Sequence, residues 1–500
     1  MTKAYDPRSF ITQPTDARHE IPRLNMSSVR SGRRGVRWPG FDPRDLRPGI
    51  LHLGCGAFHR AHQNVFTQRA IELEGDSRSP WGVLGVSFRR REIRRLLAPQ
   101  DYLYSVLERG SNGTSAEVVA VLKGLLFARE EQAEIVAAIS TPDTRIVTLT
   151  VTPSGYSAVP QPDTPVDAIG LLVAGLAVVR SRGTPPPVLI SCDNMPRNGK
   201  MLREALVKRA ALGSSGLGDW IGRNVQCPCS VVDRIVPVPT SEDRALANHM
   251  LGVDDLAAVA TEPFHQWIIE DFEGPRPRWE LAGAEFVSDV SPWEASKLNL
   301  LNGTHMAIAF LGILSGLETV SEVVQDPLFS EYARRLMNDE QIPTIPKSDH
   351  DLVAYARSLL DRWRNPNMRH QLQRIARNGS EKLRPRLLCS LAHNIEAGRP
   401  APCTLLAIAA WVCCVGRLMP FTGAIEDSAA AGLENLASRF EGDSAAFLAT
   451  ILCRRDIFGD VLPDNPGFVR DLGEAMEDLR RHGAREAVSR IVSTPIGVCA

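Results

Sequence analysis

Between Gly49 and about residue 235 the chain alternates, and that alternation limits its fold more than any other feature. Short apolar runs at 50–53, 82–86, 145–151, 188–191 and 230–235 read as strands. Between them, 63–73, 92–97, 131–139 and 166–182 read as helices, and 102–107 with 117–122 reads as a strand pair. Strands that alternate with helices join into a parallel sheet covered on both faces. After about residue 290 the strand signals fade. Helical segments then follow at about 293–315, 327–338, 351–363, 378–397, 404–415, 430–450 and 466–492. The expectation is an α/β domain over 46–285 and a mostly α-helical domain over 286–500. Residues 1–45, polar and rich in Arg and Pro, are expected to lie loose or draped over the surface.

A chain of 500 residues is longer than one core usually supports, which agrees with two domains. The formal charge of -1 gives no electrostatic case for nucleic acid or an anionic membrane. The arginines at 89, 90, 91, 94 and 95 form one short run. No stretch of about 18 apolar residues is present, and 405–415, the nearest, reads as a buried helix. Met1 to Gly35 has no apolar segment of the kind a secretion signal carries. The ten cysteines lack the doubled C-x-x-C spacing of a zinc site. Reduced thiols, a cytoplasmic location, no metal, and a monomer or weak homodimer are expected.

In a doubly wound sheet, ligands bind where strands end at their carboxyl edges. The loops at 54–62, 150–156, 192–198 and 233–239 occupy those places and are rich in glycine or polar residues. Gly54-x-Gly56, directly after a strand and before a helix, opens a Rossmann-type dinucleotide fingerprint. The first glycine allows the turn, the second lets the backbone approach a pyrophosphate, and the helix start faces the anion. His59 stands where the third glycine would be. Phe58 and Arg60 continue the loop, and Arg60 can contact phosphate or pair on the surface.

The helix that opens the second half carries Lys297-Leu-Asn-Leu-Leu-Asn302-Gly-Thr-His305. At about 100° per residue, Lys297, Asn302 and His305 fall within an arc of roughly 140°. A lysine of lowered pKa can take a proton, an amide can hydrogen-bond an oxyanion, and an imidazole can orient a second oxygen.

Several motifs in one order resemble the polyol-specific long-chain dehydrogenases. They are Gly54-Cys-Gly-Ala-Phe-His-Arg-Ala-His62, Ser191-Cys-Asp-Asn194 with Asn198-Gly199, and Val232-Asp-Arg-Ile-Val-Pro237. Glu262-Pro-Phe-His-Gln-Trp267 and the Lys297 to His305 segment complete the set. The resemblance covers about residues 45–490. It implies a metal-independent NAD(P)-linked oxidoreductase, with NAD favoured and NADP open. It implies Lys297 as general base, and Asn194 with Asn302 as the pair on the reacting oxygen, Asn198 being the alternative to Asn194. It further implies His305 as a substrate-orienting donor, Glu294 as a proton relay to solvent, Arg374 with Lys382 as a substrate pair, and Asp233 on the cofactor side.

Two departures matter. Relatives commonly carry a glutamate where this chain has Pro153, and Arg91, beside Glu92, stands about where some have an acid for the ribose hydroxyl. Arg89 and its neighbours can instead receive a 2′-phosphate. Gly54-Cys55-Gly56, Pro228 to Asp233, Asn365 to His370 and Lys382 to Leu388 look closer to reductases of keto-uronates, and Arg369 and Arg374 offer cations for a carboxylate. The expected reaction therefore interconverts D-fructuronate and D-mannonate, with D-fructose and D-mannitol as the alternative. A dinucleotide-binding protein that no longer turns over is the different class, motivated by Pro153 alone.

Overall fold

The computed structural model describes residues 21–28, 33, 35–75, 79–89, 91–160, 166–213, 215–348, 350–368, 370–440 and 443–494, without the side chains of 215 and 431. Arg90 and Arg369, named above, lie outside the described residues. Twelve strands are numbered here in chain order: Val36–Arg37 (β1), Pro48–Leu53 (β2), Gly82–Ser87 (β3), Tyr104–Gly110 (β4), Gly113–Val119 (β5), Leu122–Phe127 (β6), Ile146–Leu149 (β7), Val188–Ser191 (β8), Ser230–Asp233 (β9), Val259–Thr261 (β10), Gln266–Glu270 (β11) and Glu285–Val287 (β12).

Five of them form a wholly parallel sheet in the order β6-β3-β2-β7-β8. Its central strand shows why the sequence reads as a continuous apolar run: Ile50 packs into one covering layer while Leu51 and Leu53 pack into the other. Helices Gln63–Glu74 and Ala168–Arg182 cover it. The doubly wound α/β arrangement and the helical second half are as expected.

Two local expectations change. The strand pair near 102–122 is the antiparallel hairpin β4–β5, which joins β1 and β10 in a separate sheet; β6, not foreseen, takes the edge of the parallel sheet. β9 leaves the parallel series and pairs antiparallel with β11. Side chains bridge the break: Asn198 Nδ2 donates to the carbonyls of Ser191 and Ser230 at 3.1 and 2.8 Å, and Ser230 Oγ donates to Ser191 at 2.6 Å. The described part of the amino-terminal extension is docked: Leu24 is fully buried and β1 pairs with β5.

The second half is built around the buried helices Thr304–Leu314 and Pro402–Val415 and one face of Pro466–Ser493, which is kinked at Gly483, and the three share one large core. Helix Pro402–Val415 is apolar on all sides and enclosed, as its sequence suggests. Two expected continuous helices are interrupted by π-helical stretches, at Lys297–Gly303 and Arg384–Leu388, and the helix expected over 327–338 ends in a third, Leu336–Gln341. The three stretches meet at Gly303, where a Cβ would lie 2.6 Å from Gln341 Nε2 and 2.7 Å from the Arg386 carbonyl. An i→i+5 repeat spaces side chains differently from the 3.6-residue repeat assumed for Lys297, Asn302 and His305, and such stretches are frequent at functional sites. Among the described residues no helix is long and apolar enough to cross a membrane.

Candidate active site

The glycine turn after β2 lines a cavity of about 1060 Å³ at the carboxyl edge of the parallel sheet. Gly54 holds φ at +102°, and a Cβ there would lie 2.2 Å from the Thr150 carbonyl oxygen. Thr150 Oγ1 in turn donates to the Gly54 carbonyl at 2.9 Å, so two strand ends are tied by a contact only glycine permits. Gly56, Arg60, Arg89 and Glu92 also line the cavity, as do Arg129 and Pro153. The space and the side-chain-free floor fit a dinucleotide, with Arg89 and Glu92 following β3, where a ribose would be read.

Phe58 is not part of that lining: its ring stacks on His62 at 5.0 Å. Arg60 is buried, donates to the Ala257 carbonyl and stands 5.2 Å over the Tyr104 ring. Beneath the turn, His52 bonds Thr148 Oγ1 and Thr150 Oγ1 at 2.8 and 2.9 Å and stacks on His59. Burial pushes the His52 imidazole down to about 3, so it is a neutral support for the loop. The Thr150 loop is held further by Asp193, which accepts from the Val151 and Thr152 amides at 2.9 and 3.0 Å and from Tyr156 Oη at 2.7 Å.

Lys297 reaches from the helical half toward these strand ends. Its Nζ donates to Asn194 Oδ1 and, at 2.6 Å, to the Val232 carbonyl. Burial lowers its pKa; Asp233 opposes that, and Arg362 and Arg386 reinforce it, with Glu294 opposing. Glu294, a residue of the preceding turn, accepts from the Arg197 amide at 2.9 Å, and burial raises its carboxyl above the usual range. Asn194 is exposed and meets Lys297, whereas Asn198 is buried and spent on backbone groups, its Oδ1 accepting from Ser230 N at 3.0 Å. The geometry therefore puts Asn194, not Asn198, beside the amine.

Asp233 does not line the dinucleotide cavity. It lies under Lys297 and pairs with Arg362, whose guanidinium also holds Glu262 at 2.7 and 2.9 Å. Side-chain exposures of 7% for Arg362, 5% for Asp233 and 3% for Glu262 make this a buried triad. Arg362 comes from helix Leu352–Trp363 and also stacks 3.9 Å over Phe264. Three residues on, Asn365 Nδ2 donates 2.7 Å to the Arg109 carbonyl, a second tie between the halves.

His305 is buried, lies 4.5 Å from the Trp363 ring and 5.2 Å from His370, and its Nε2 has no hydrogen-bond partner among the described residues. Burial, helped by His370, Arg362 and Arg386, keeps this imidazole neutral. Asn302 is half-buried, and its backbone carbonyl accepts from Arg386 at 3.5 Å. Arg374 is exposed on helix Leu372–Ala376, and its charge acts on His370. Lys382 donates to the carbonyls of Arg377 and Ile375, and the charge that acts on it most strongly is Arg386, followed by Glu381, Asp427 and Arg377. Arg362 was not singled out from the sequence; Arg386 was noted there only as part of the Lys382 to Leu388 segment, without a role in the site. Among the described residues no group of three or more His, Cys, Asp or Glu is placed to hold a metal ion.

Taken together, a half-buried amine of lowered basicity, an amide beside it, a neutral imidazole with a free nitrogen and a neighbouring glycine-floored cavity can exchange a proton with a hydroxyl next to a bound dinucleotide. Comparison with known proteins bears on this. Residues 48–281 match the family model described as mannitol dehydrogenase Rossmann domain, and residues 289–480 the mannitol dehydrogenase C-terminal domain. An uncharacterized oxidoreductase of Escherichia coli K12, YeiQ, is 37% identical over 91% of this chain and 96% of its own length. D-mannonate oxidoreductase from the same organism is 36% identical over 93% of this chain and 100% of its own. The Pseudomonas fluorescens mannitol 2-dehydrogenase, solved with NAD and D-mannitol, superposes with a TM-score of 0.82 at 32% identity, covering 95% of this chain and 100% of that one.

Proposed function

The chain belongs to the mannitol dehydrogenase family, oxidoreductases that act on CH–OH groups, and we propose that it interconverts a sugar acid and its keto form, D-mannonate and D-fructuronate, with NAD as hydride acceptor. The observation that carries the reading is the setting of Lys297. A neutral amine has two N–H bonds and one lone pair. Both N–H bonds are engaged, by Asn194 Oδ1 and the Val232 carbonyl, which leaves the lone pair for a substrate hydroxyl. Asn194, accepting through its oxygen, keeps its amide N–H groups for the same hydroxyl oxygen.

When bound, a nicotinamide dinucleotide supplies the hydride acceptor. The chain does the rest. Lys297 takes the hydroxyl proton as alkoxide character grows, and Asn194 and Asn302 hydrogen-bond that oxygen. His305 Nε2 orients a neighbouring hydroxyl. Glu294, whose carboxyl titrates above its usual range, relays the proton outward. In the reductive direction the protonated Lys297 returns its proton to the carbonyl oxygen.

The experiment is reduction of D-fructuronate against D-fructose, each with NADH and with NADPH. Preference for fructuronate with NADH is expected. Preference for fructose would favour a mannitol 2-dehydrogenase, the second reading, which rests on the likeness to the mannitol-bound structure. No turnover with either would favour a dinucleotide-binding protein without activity.

A further inference from the structure

Arg386 and Lys382 stand four residues apart on one helical run, so their side chains share a face. Both are half-buried, and neither is paired with a carboxylate among the described residues. Among the described residues the Arg386 guanidinium makes one hydrogen bond, a long one of 3.5 Å to the Asn302 carbonyl. Three other enclosed arginines are closely paired, Arg69 with Glu108 and Glu117, Arg234 with Glu108 and Arg362 with Asp233 and Glu262, whereas buried Arg60, which lines the dinucleotide cavity, is held by the Ala257 carbonyl and the Tyr104 ring. Two like charges brought close in a cleft are poorly solvated and repel; the Glu381 and Asp427 carboxylates act on Lys382 without forming an ion pair with it, and Arg386 has no such influence among the described residues. Burial lowers Arg386 to about 10, and burial with the Arg386 charge lowers Lys382 to about 8.

Their position relates them to the reacting end of a substrate. Arg386 acts electrostatically on both Lys297 and His305, and it hydrogen-bonds the backbone of Asn302, so it flanks the proton-transfer set without touching Lys297. We propose that Arg386 and Lys382 form the seat for a substrate carboxylate, at the end of the sugar chain remote from the carbon that exchanges hydride, so that sugar acids are selected over neutral polyols. This rests on the reading of Lys297 as the group that serves the reacting hydroxyl. In a six-carbon keto-uronate the carboxylate stands four carbons from the carbonyl. Between the two ends, the chain hydroxyls meet the free His305 Nε2. A neutral polyol would leave Arg386 uncompensated.

The test compares kcat/KM for D-fructuronate and D-fructose in the wild type, Arg386→Gln, Arg386→Lys and Lys297→Ala. The ratio of acid to neutral substrate is expected to fall about 10- to 100-fold in Arg386→Gln, the range of a charge-assisted hydrogen bond, with partial recovery in Arg386→Lys. An unchanged ratio in Arg386→Gln, or a wild type that favours fructose, overturns the carboxylate seat. If Lys297→Ala still abolishes turnover of both substrates, the Lys297 reading stands although the seat has failed. If Lys297→Ala keeps full turnover, that reading has failed. Where Arg386→Gln does not fold, Lys382→Met gives the same ratio, with the same outcomes deciding.

Discussion

The Arg362 guanidinium lies 2.8 Å from the Asp233 carboxylate, joining a helix of one domain to the end of β9 in the other. Burial alone would raise Asp233, but Arg362 overrides it and holds the carboxyl below the usual range. Glu262, on the same guanidinium, is left above that range because burial outweighs its partner. The pair therefore fastens the domains and screens Lys297 from a carboxylate that would keep it protonated.

Replacing Arg362 with Met should raise the apparent pKa of the acidic limb for substrate oxidation. Arg362, Arg386, Asp233 and Glu294 act on Lys297, and removing the first shifts that balance toward the ammonium form. The pH profile of kcat/KM checks this, and Arg362→Lys should restore part of the shift. Leaving two buried carboxylates unpaired should also cost about 3–5 kcal/mol of stability, read by denaturant unfolding.

Lys297→Ala should lower kcat/KM by about 10²- to 10⁴-fold, the usual contribution of a positioned proton-transfer group. The acidic limb of the pH profile should disappear with it. A retained limb would assign that titration elsewhere.

Gly54→Ala should abolish dinucleotide binding, since the added Cβ meets the Thr150 carbonyl at 2.2 Å in a left-handed backbone. Gly56→Ala should leave the turn intact, because within the chain its Cβ meets only the Gly54 carbonyl at 3.7 Å, and should weaken binding only by holding the pyrophosphate off the backbone. Fluorescence titration with NADH separates the two.

Arg89→Ala should weaken use of NADPH more than use of NADH. Arg89 and Glu92 both line the cavity at the end of β3, so a cation and a carboxylate compete there for the ribose edge. The ratio of kcat/KM for the two coenzymes is the measurement.

Local pattern made the parallel sheet legible. Ile50, Leu51 and Leu53 announce a strand buried on both faces, and Gly54 announces the turn. Pattern could not say which sheet a strand joins: β4, β5 and β9 read like their neighbours but pair elsewhere, because strand pairing is set by tertiary packing. The Lys297 helix was legible as a helix, while its π repeat was not, since apolar spacing over seven residues fits either repeat. Arg362 was hidden for another reason. Its partners Asp233 and Glu262 are 129 and 100 residues away, and nothing local marks an arginine that closes such a distance.

The π-helical stretch at Lys297–Gly303 has a consequence for length rather than composition. A π stretch holds one more residue than an α-helix of the same register. A single-codon deletion there would let the segment relax to the ordinary repeat with Ser291–Ser296 and Thr304–Leu314 still seated, while each intervening side chain turned by about 100°. Such a protein would fold and keep its dinucleotide cavity, yet lose the shared outlook of Lys297 and Asn302. Lineages that preserve turnover are therefore bound to preserve the count of residues in this turn as strictly as their identity.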